Sequence, residues 1–129
     1  MERDGFEIGS HTVSHANLGR LDEASLKCEV NNSLAALNSN LDLRPRSFSF
    51  PWGKLEDISE PAVDAVKAAG YYSSSSAYGG TNGPGQDRFK LRRVDAGNGS
   101  FDRLAFRARV AGFDPDYLRL MLKRLGRGV

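Results

Sequence analysis

The amino-acid sequence predicts an α/β fold, in which a mainly parallel sheet is covered by helices on its outside. Short strand-like segments alternate along the chain with segments whose apolar residues recur at helical spacing. This order is typical of strand–helix–strand units. Capping residues, glycines and prolines separate the segments. The chain has 129 residues, the length of one domain, and such a domain buries about two thirds of its unfolded surface.

The first predicted strand spans residues 6–9 and leads into a polar loop. The first helix begins at residues 22–25, where a side-chain oxygen can cap the free N–H groups. It ends before Pro45, because the residue before a proline avoids the helical region. Cys28, the only cysteine, lies in this helix and is predicted to be packed. The apolar stripe predicted to pack on the sheet consists of Leu26, Val30, Leu34, Leu37 and Leu41.

The second predicted strand, residues 47–50, alternates polar and apolar side chains and runs into Pro51-Trp52-Gly53. The second helix begins near Ser59, has Pro61 in its first turn and closes at Gly70. Because its apolar residues recur at helical spacing, one of its faces is predicted to be buried. That face consists of Val63, Val66 and Ala69.

The remaining elements are two strands and two helices. The strands are predicted over residues 71–77 and 89–95, on either side of a glycine-rich connection at 79–85. One helix is predicted over 101–111, and a last helix over 114–125 begins with a cap and a first-turn proline. We therefore divide the chain into an α/β domain, residues 1–113, and a basic C-terminal helix, residues 114–129.

Composition excludes several classes of function. No apolar run approaches the roughly 18 residues of a membrane span. The first residues lack the apolar core of an export signal, which predicts a cytoplasmic location for the chain as it stands and leaves that of a longer parent protein open. A single cysteine rules out an internal disulfide and a cysteine-built zinc site. Residues 88–129 carry 11 basic and 4 acidic side chains. Without interleaved aromatic residues this charge predicts a solvated helical end rather than a nucleic-acid contact.

The two histidines of the chain, His11 and His15, follow the first predicted strand. Imidazole is the commonest protein ligand for zinc, and a catalytic zinc has three protein ligands and one open position. The pair can supply two of the three. Asp4, Glu7 and Asp22 are the nearby carboxylates, and any of them could in principle supply the third. Because parallel strands end at one edge, we expect the histidines, Trp52 and the glycine-rich connection to share a rim.

The segment Gly9-Ser10-His11-Thr12-Val13-Ser14-His15 resembles the zinc-binding motif of the polysaccharide deacetylases, the NodB-homology family. After the first helix, residues 44–53 resemble that family's next motif, in which a Pro-aromatic-Gly turn forms one wall of the substrate groove. Residues 68–71 and 91–94 also resemble family segments. The resemblance covers roughly residues 5–95 and implies part of a (β/α) barrel.

The resemblance implies that His11 and His15 bind zinc or another divalent metal, and that Thr12 braces their loop by hydrogen bonding. Pro51, Trp52 and Gly53 would contact the sugar. The implied reaction is hydrolysis of N-acetyl groups from an amino-sugar polysaccharide, with N-acetylated polysaccharides or oligosaccharides as partners. Two alternatives remain open: the imidazoles satisfy backbone groups only, or the indole is a core or edge aromatic.

The sequence lacks two family motifs that supply catalytic groups, and the arginine that often precedes the Pro-aromatic-Gly turn also has no clear counterpart. The Asp-Asp motif that supplies the base and the third metal ligand has no counterpart, nor does the leucine-x-histidine motif that supplies the acid. The sequence therefore assigns no catalytic acid or base. We predict the C-terminal portion of a deacetylase domain, since a full barrel needs about 250 residues, and self-association through an exposed sheet edge. The alternative function is that of a non-catalytic glycan-binding or assembly remnant.

Overall fold

The computed structural model describes residues 2–42, 47–95 and 103–113, together with Leu122. Three helices and two strands form the framework: α1 (Glu23–Asn40), β1 (Ser47–Ser49), α2 (Glu60–Ala68), β2 (Ser73–Ser75) and α3 (Arg103–Val110). Single 3-10 turns occur at Glu2–Asp4, Leu18–Arg20 and Leu55–Asp57. The helix predicted over 114–125 lies outside the described residues, apart from Leu122.

The sheet is parallel, as predicted. β1 and β2 pair in the register Ser47↔Ser73, Phe48↔Ser74 and Ser49↔Ser75, and α2 forms the connection between them. Parallel strands need such a crossover. Single residues extend the sheet on both sides, because Ser10 forms a parallel bridge with Phe48 and Leu91 forms one with Ser75.

The strands predicted over residues 6–9 and 89–95 are wrong, since each segment contributes at most a single bridge. Phe6 is 60% exposed, so its side chain does not anchor the first segment in the core. In the second segment the Asp87 side chain accepts from the Phe89 N–H (2.9 Å), and the Asp87 carbonyl accepts from the Lys90 N–H (2.9 Å). This turn bends the chain, so the segment forms a single bridge, at Leu91, although the Phe89 carbonyl also accepts from the Ser74 hydroxyl of β2.

Helix α1 begins where the sequence predicts. The Asp22 carboxylate accepts from the Ser25 N–H at 2.8 Å, and this bond holds the pKa of Asp22 below its usual value. Leu26 and Val30 are buried, whereas the rest of the predicted stripe is only partly buried: Leu34, Leu37 and Leu41. The prediction that Cys28 packs is wrong, because the residue is exposed on the face opposite the buried one.

Helix α2 also matches its predicted signals. Ser59 caps the helix by accepting from the Ala62 N–H at 3.3 Å, and Pro61 lies in the first turn. Gly70, just beyond the helix, has a φ of 91°. Val63 and Val66 are fully buried, whereas the predicted core residue Ala69 is only partly buried.

One hydrophobic cluster joins the helices to the sheet. At its centre, the Phe48 ring of β1 meets the rings of Phe50 and Tyr71 edge to face, with both pairs of centroids 5.2 Å apart. In the described ranges, no helix combines the length and the apolarity that crossing a membrane requires. The buried cluster consists of Leu18, Leu26, Val30, Phe48, Phe50, Ala62, Val63, Val66, Tyr71 and Phe89.

Candidate functional site

The two histidines lie side by side immediately after Ser10, the residue that joins the sheet. Their ring centroids are 4.9 Å apart, with the planes at 73°. Nδ1 of His11 lies 2.6 Å from the main-chain oxygen of Ser49. Because a carbonyl oxygen only accepts, this nitrogen carries the proton, and Nε2 of the neutral ring keeps its lone pair. A backbone carbonyl on the far nitrogen is the usual support of a metal-binding histidine.

Three non-glycine residues at this site have left-handed backbone. Thr12, His15 and Trp52 have φ values of 68°, 60° and 62°, and no other described residue except glycine has a positive φ. This conformation costs about 1–2 kcal/mol per residue, because Cβ approaches a carbonyl oxygen. Such strained residues cluster at functional sites. Nothing in the sequence signals the strain, because these residue types favour other conformations.

Glu29 of helix α1 hydrogen-bonds the segment between the histidines, residues 12–14. The Glu29 carboxylate accepts from the main-chain N–H groups of Val13 (2.9 Å) and Ser14 (3.0 Å) and from the Ser14 hydroxyl (2.7 Å). Desolvation alone would raise the pKa of Glu29, but the hydrogen bonds from Ser14 and Val13 together lower it. The carboxylate is therefore held in its charged form.

Thr12, which the resemblance implies as the brace of this loop, has a buried hydroxyl. That hydroxyl makes no hydrogen bond of ordinary geometry within the described part of the chain, although its proximity helps to lower the pKa of Glu29. Glu29 could not be predicted as part of the site, because a single glutamate on a helix carries no sequence signal of a contact made 15 or 16 residues away.

Trp52 stands beside the histidines on a turn that the sheet holds in place. Its side chain is 61% exposed, and its ring centroid lies 5.7 Å from that of His15. Pro51 and Gly53 on either side are buried. The Gly53 carbonyl accepts from the N–H groups of Ala77 (2.8 Å) and Tyr78 (3.1 Å), just beyond β2. The indole is therefore presented to solvent from a fixed backbone.

A cavity of about 510 Å³ opens next to the indole, a volume in the range of small-ligand sites. One wall is stiffened by Asn17, whose amide donates to the Asp57 carboxylate at 2.6 Å. The glycine-rich connection, which we expected at this rim, does not line the cavity; its Asn82 instead pairs with the backbone of Arg92. The lining residues are His15, Ala16, Asn17, Arg20, Trp52, Lys54, Glu56 and Asp57.

The donor set fits part of a metal site. His11 offers a free Nε2, and the adjacent His15 ring offers a second imidazole, which together match two of the three protein ligands of a catalytic zinc. Within the described ranges, no three histidine, cysteine, aspartate or glutamate side chains are grouped so that they could hold a metal. The nearby carboxylates considered from the sequence, on Asp4, Glu7 and Asp22, thus do not complete the set.

Comparison with known proteins identifies relatives of the chain. The sequence profile of the polysaccharide deacetylases matches residues 1–74. A stretch of 57 residues is 44% identical to a gellan lyase from a Bacillus species, and it represents 43% of this chain and 2% of that protein. The family match therefore covers the part of the chain that carries the histidines and the helices α1 and α2.

Solved structures share the fold at low sequence identity. The Streptococcus pyogenes deacetylase PplD, in complex with acetate, has a TM-score of 0.61 at 17% identity, over 67% of this chain and 37% of that one. A polysaccharide deacetylase from Bacillus cereus has a TM-score of 0.60 at 21% sequence identity, over 72% of this chain and 28% of that one. A de-N-acetylase from Aggregatibacter actinomycetemcomitans has a TM-score of 0.60 at 21% sequence identity, over 73% of this chain and 44% of that one. The chain thus spans less than half of each structure, and its predicted partial α/β fold of this type is confirmed.

Proposed function

Because the chain belongs to the polysaccharide deacetylase family, we propose that it supplies the metal-holding and sugar-facing part of a hydrolase that removes N-acetyl groups from an amino-sugar polysaccharide. The observation that carries this proposal is the pair of adjacent imidazoles beside an exposed indole. One nitrogen of His11 is oriented by a backbone carbonyl, which leaves the other available to a metal.

His11 and His15 would hold zinc or another divalent metal, with a third ligand from outside the described residues. When bound, such a metal lowers the pKa of its water to about 7 and polarises a carbonyl oxygen. The residues of this chain orient the site: Ser49 fixes the His11 ring, and Trp52 offers an apolar face to a sugar ring. We assign no proton transfer to the described residues.

Metal binding is the direct test of this proposal. We expect the chain to bind one Co²⁺ or Zn²⁺ at neutral pH. The double variant His11→Ala/His15→Ala should bind the metal more than 100-fold more weakly, because loss of a residue that only supports a ligand already weakens binding by about 10–100-fold. Isothermal titration and cobalt absorption measure it. Both rings are exposed, so the variant should remain folded.

The matched control is Cys28→Ser, since an exposed thiol can bind soft metals by itself. We expect this variant to bind metal as the wild type does. Equal binding by the double histidine variant, or no binding by the wild type, would contradict the metal site.

The exposed Trp52 and its cavity favour a second candidate function, in which the chain binds glycan without hydrolysing it. The indole is 61% exposed and held by the surrounding backbone, an arrangement that suits stacking on a pyranose ring. This function needs no third metal ligand. The two candidates differ in the release of acetate, which only the hydrolase produces.

Glycan binding is tested with Trp52→Gly and an N-acetylglucosamine oligomer. We expect about tenfold weaker binding, which corresponds to about 1.4 kcal/mol. The variant should fold at least as well as the wild type, because glycine removes the strain of a φ of 62°. Trp52→Phe, which keeps an aromatic face, is the control and should bind more tightly than Trp52→Gly. Unchanged affinity in Trp52→Gly would exclude the indole as a sugar contact.

A further inference from the structure

We propose that Glu29 is the positioning residue of the histidine loop, residues 11–15, and that its carboxylate sets the relative orientation of His11 and His15 before any metal binds. This inference rests on the proposed function of the two histidines as metal ligands. Glu29 itself would not touch the metal; it acts through the backbone between the two rings.

The hydrogen bonds of Glu29 cover the middle of the loop. One carboxylate oxygen accepts from two successive main-chain N–H groups, those of Val13 and Ser14, and the other accepts from the Ser14 hydroxyl. Within the described chain, no other hydrogen bond is made by the backbone of residues 12–14. Val13 is 60% exposed and Ser14 is also exposed, so burial holds neither of these two residues. The carboxylate is therefore the main anchor of this segment.

The backbone on both sides of these contacts needs such an anchor. Thr12 and His15 have φ values of 68° and 60°, a region that disfavours residues with a Cβ and a β-branched threonine above all. A free loop would relax toward ordinary backbone angles and separate the imidazoles. Hydrogen bonds to a charged acceptor are stronger than those between neutral groups, and here three of them oppose that relaxation.

Helix α1 holds the loop at its other end as well. Ser33, one turn after Glu29, lies with its hydroxyl 2.5 Å from that of Ser10, the residue that precedes His11. Both serines are buried. Val30, which follows Glu29 in the helix, is fully buried in the core. Helix α1 thus contacts the chain at Ser10, just before His11, and again at Val13 and Ser14, between the two histidines. These contacts from one helix determine the distance between the two imidazole rings.

The test compares Glu29→Ala and Glu29→Gln by titration with Co²⁺. We expect Glu29→Ala to bind the metal about 10–100-fold more weakly, the loss typical of an outer-shell partner. An amide has the same shape: its oxygen can accept from both N–H groups and its nitrogen can donate to the Ser14 hydroxyl. Glu29→Gln should therefore keep most of the affinity. Rescue by the glutamine variant separates positioning from a general loss of structure.

Glu23→Ala is the matched control, because Glu23 lies on the same helix and, among the residues that the structure describes, forms an ion pair only with Lys27, at the surface. It should bind metal as the wild type does. Metal affinity in Glu29→Ala equal to that of the wild type would overturn the inference, and so would an equal loss in Glu23→Ala.

Amide hydrogen exchange in the metal-free protein gives a readout that does not depend on the metal. We expect the amides of Val13 and Ser14 to exchange at least tenfold faster in Glu29→Ala, while the amides of β1 stay unchanged. Unchanged exchange at these two residues would overturn the positioning role. A wild-type chain that binds no Co²⁺ would instead overturn the proposed function, so the two failures are distinguishable.

Discussion

Replacing Gly53 with alanine is expected to lower the free energy of unfolding by about 2–5 kcal/mol, the sum of a left-handed backbone and overpacking. A Cβ on Gly53 would lie 2.5 Å from the main-chain nitrogen of Ala77 and 3.1 Å from the carbonyl oxygen of Phe50. The φ of 61° adds strain whatever space is available. Because the obstructing atoms are backbone, they cannot move aside without opening the end of the sheet.

Urea denaturation of two further variants separates these causes. Gly85 has a φ of 81° and open space around it, so Gly85→Ala should cost only the about 1–2 kcal/mol of the left-handed backbone. Gly19 has no positive φ, but a Cβ there would lie 2.7 Å from the Asp57 carbonyl oxygen. The stability lost in Gly19→Ala therefore measures steric crowding without backbone strain. If Gly53→Ala were no more destabilising than Gly85→Ala, the close approach of the turn to Ala77 would be refuted.

The Gly53→Ala substitution should also disturb the candidate site, because Trp52 directly precedes Gly53 in the chain. The Gly53 carbonyl accepts from Ala77 and Tyr78, and these bonds fix the direction of the indole. We therefore expect weaker glycan binding in Gly53→Ala even in the fraction that remains folded. The glycine of the Pro-Trp-Gly segment is required by packing, independently of any contact with a sugar.

The helices could be predicted from the sequence because their signals are local. Asp22 and Ser59 each accept from a backbone N–H three residues on, and such bonds depend only on neighbouring residue types. The strands were harder to predict. β1 has the expected alternation, whereas the segments at 6–9 and 89–95 have strand-like composition but form no strand; of their residues, Leu91 alone makes a bridge to the sheet. Whether such a segment joins a sheet depends on tertiary contacts rather than on its own residues.

The same distinction applies to the site. The motif resemblance singled out His11, His15 and Trp52, and the structure brings the three rings together. Glu29 and the left-handed angles of the loop had no sequence signal, because both depend on how α1 lies against the loop. Cys28 was misplaced for a different reason: its prediction rested on the tendency of free cysteine to be buried, whereas a position two residues from both Leu26 and Val30 lies on the opposite face of α1.

The second large effect is expected for Phe48→Ala, which should lower the free energy of unfolding by about 3–5 kcal/mol. That loss is a large part of the about 5–15 kcal/mol that stabilises a typical domain. Phe48 is 2% exposed, and its ring contacts those of Phe50 and Tyr71. Truncation would leave a cavity where β1 meets the helices, and neighbouring aromatic rings are too rigid to fill it.

Phe6→Ala is the matched control, since the same atoms are removed from a side chain that is 60% exposed; a cost below about 1 kcal/mol is expected by urea denaturation. Equal costs for the two variants would contradict a core centred on β1. Phe48 also stands between Ser47 and Ser49, which hydrogen-bond Ser10, and the Ser49 carbonyl orients His11. Metal affinity should therefore fall in Phe48→Ala and not in Phe6→Ala, because the packing of β1 and the orientation of the first ligand depend on the same strand.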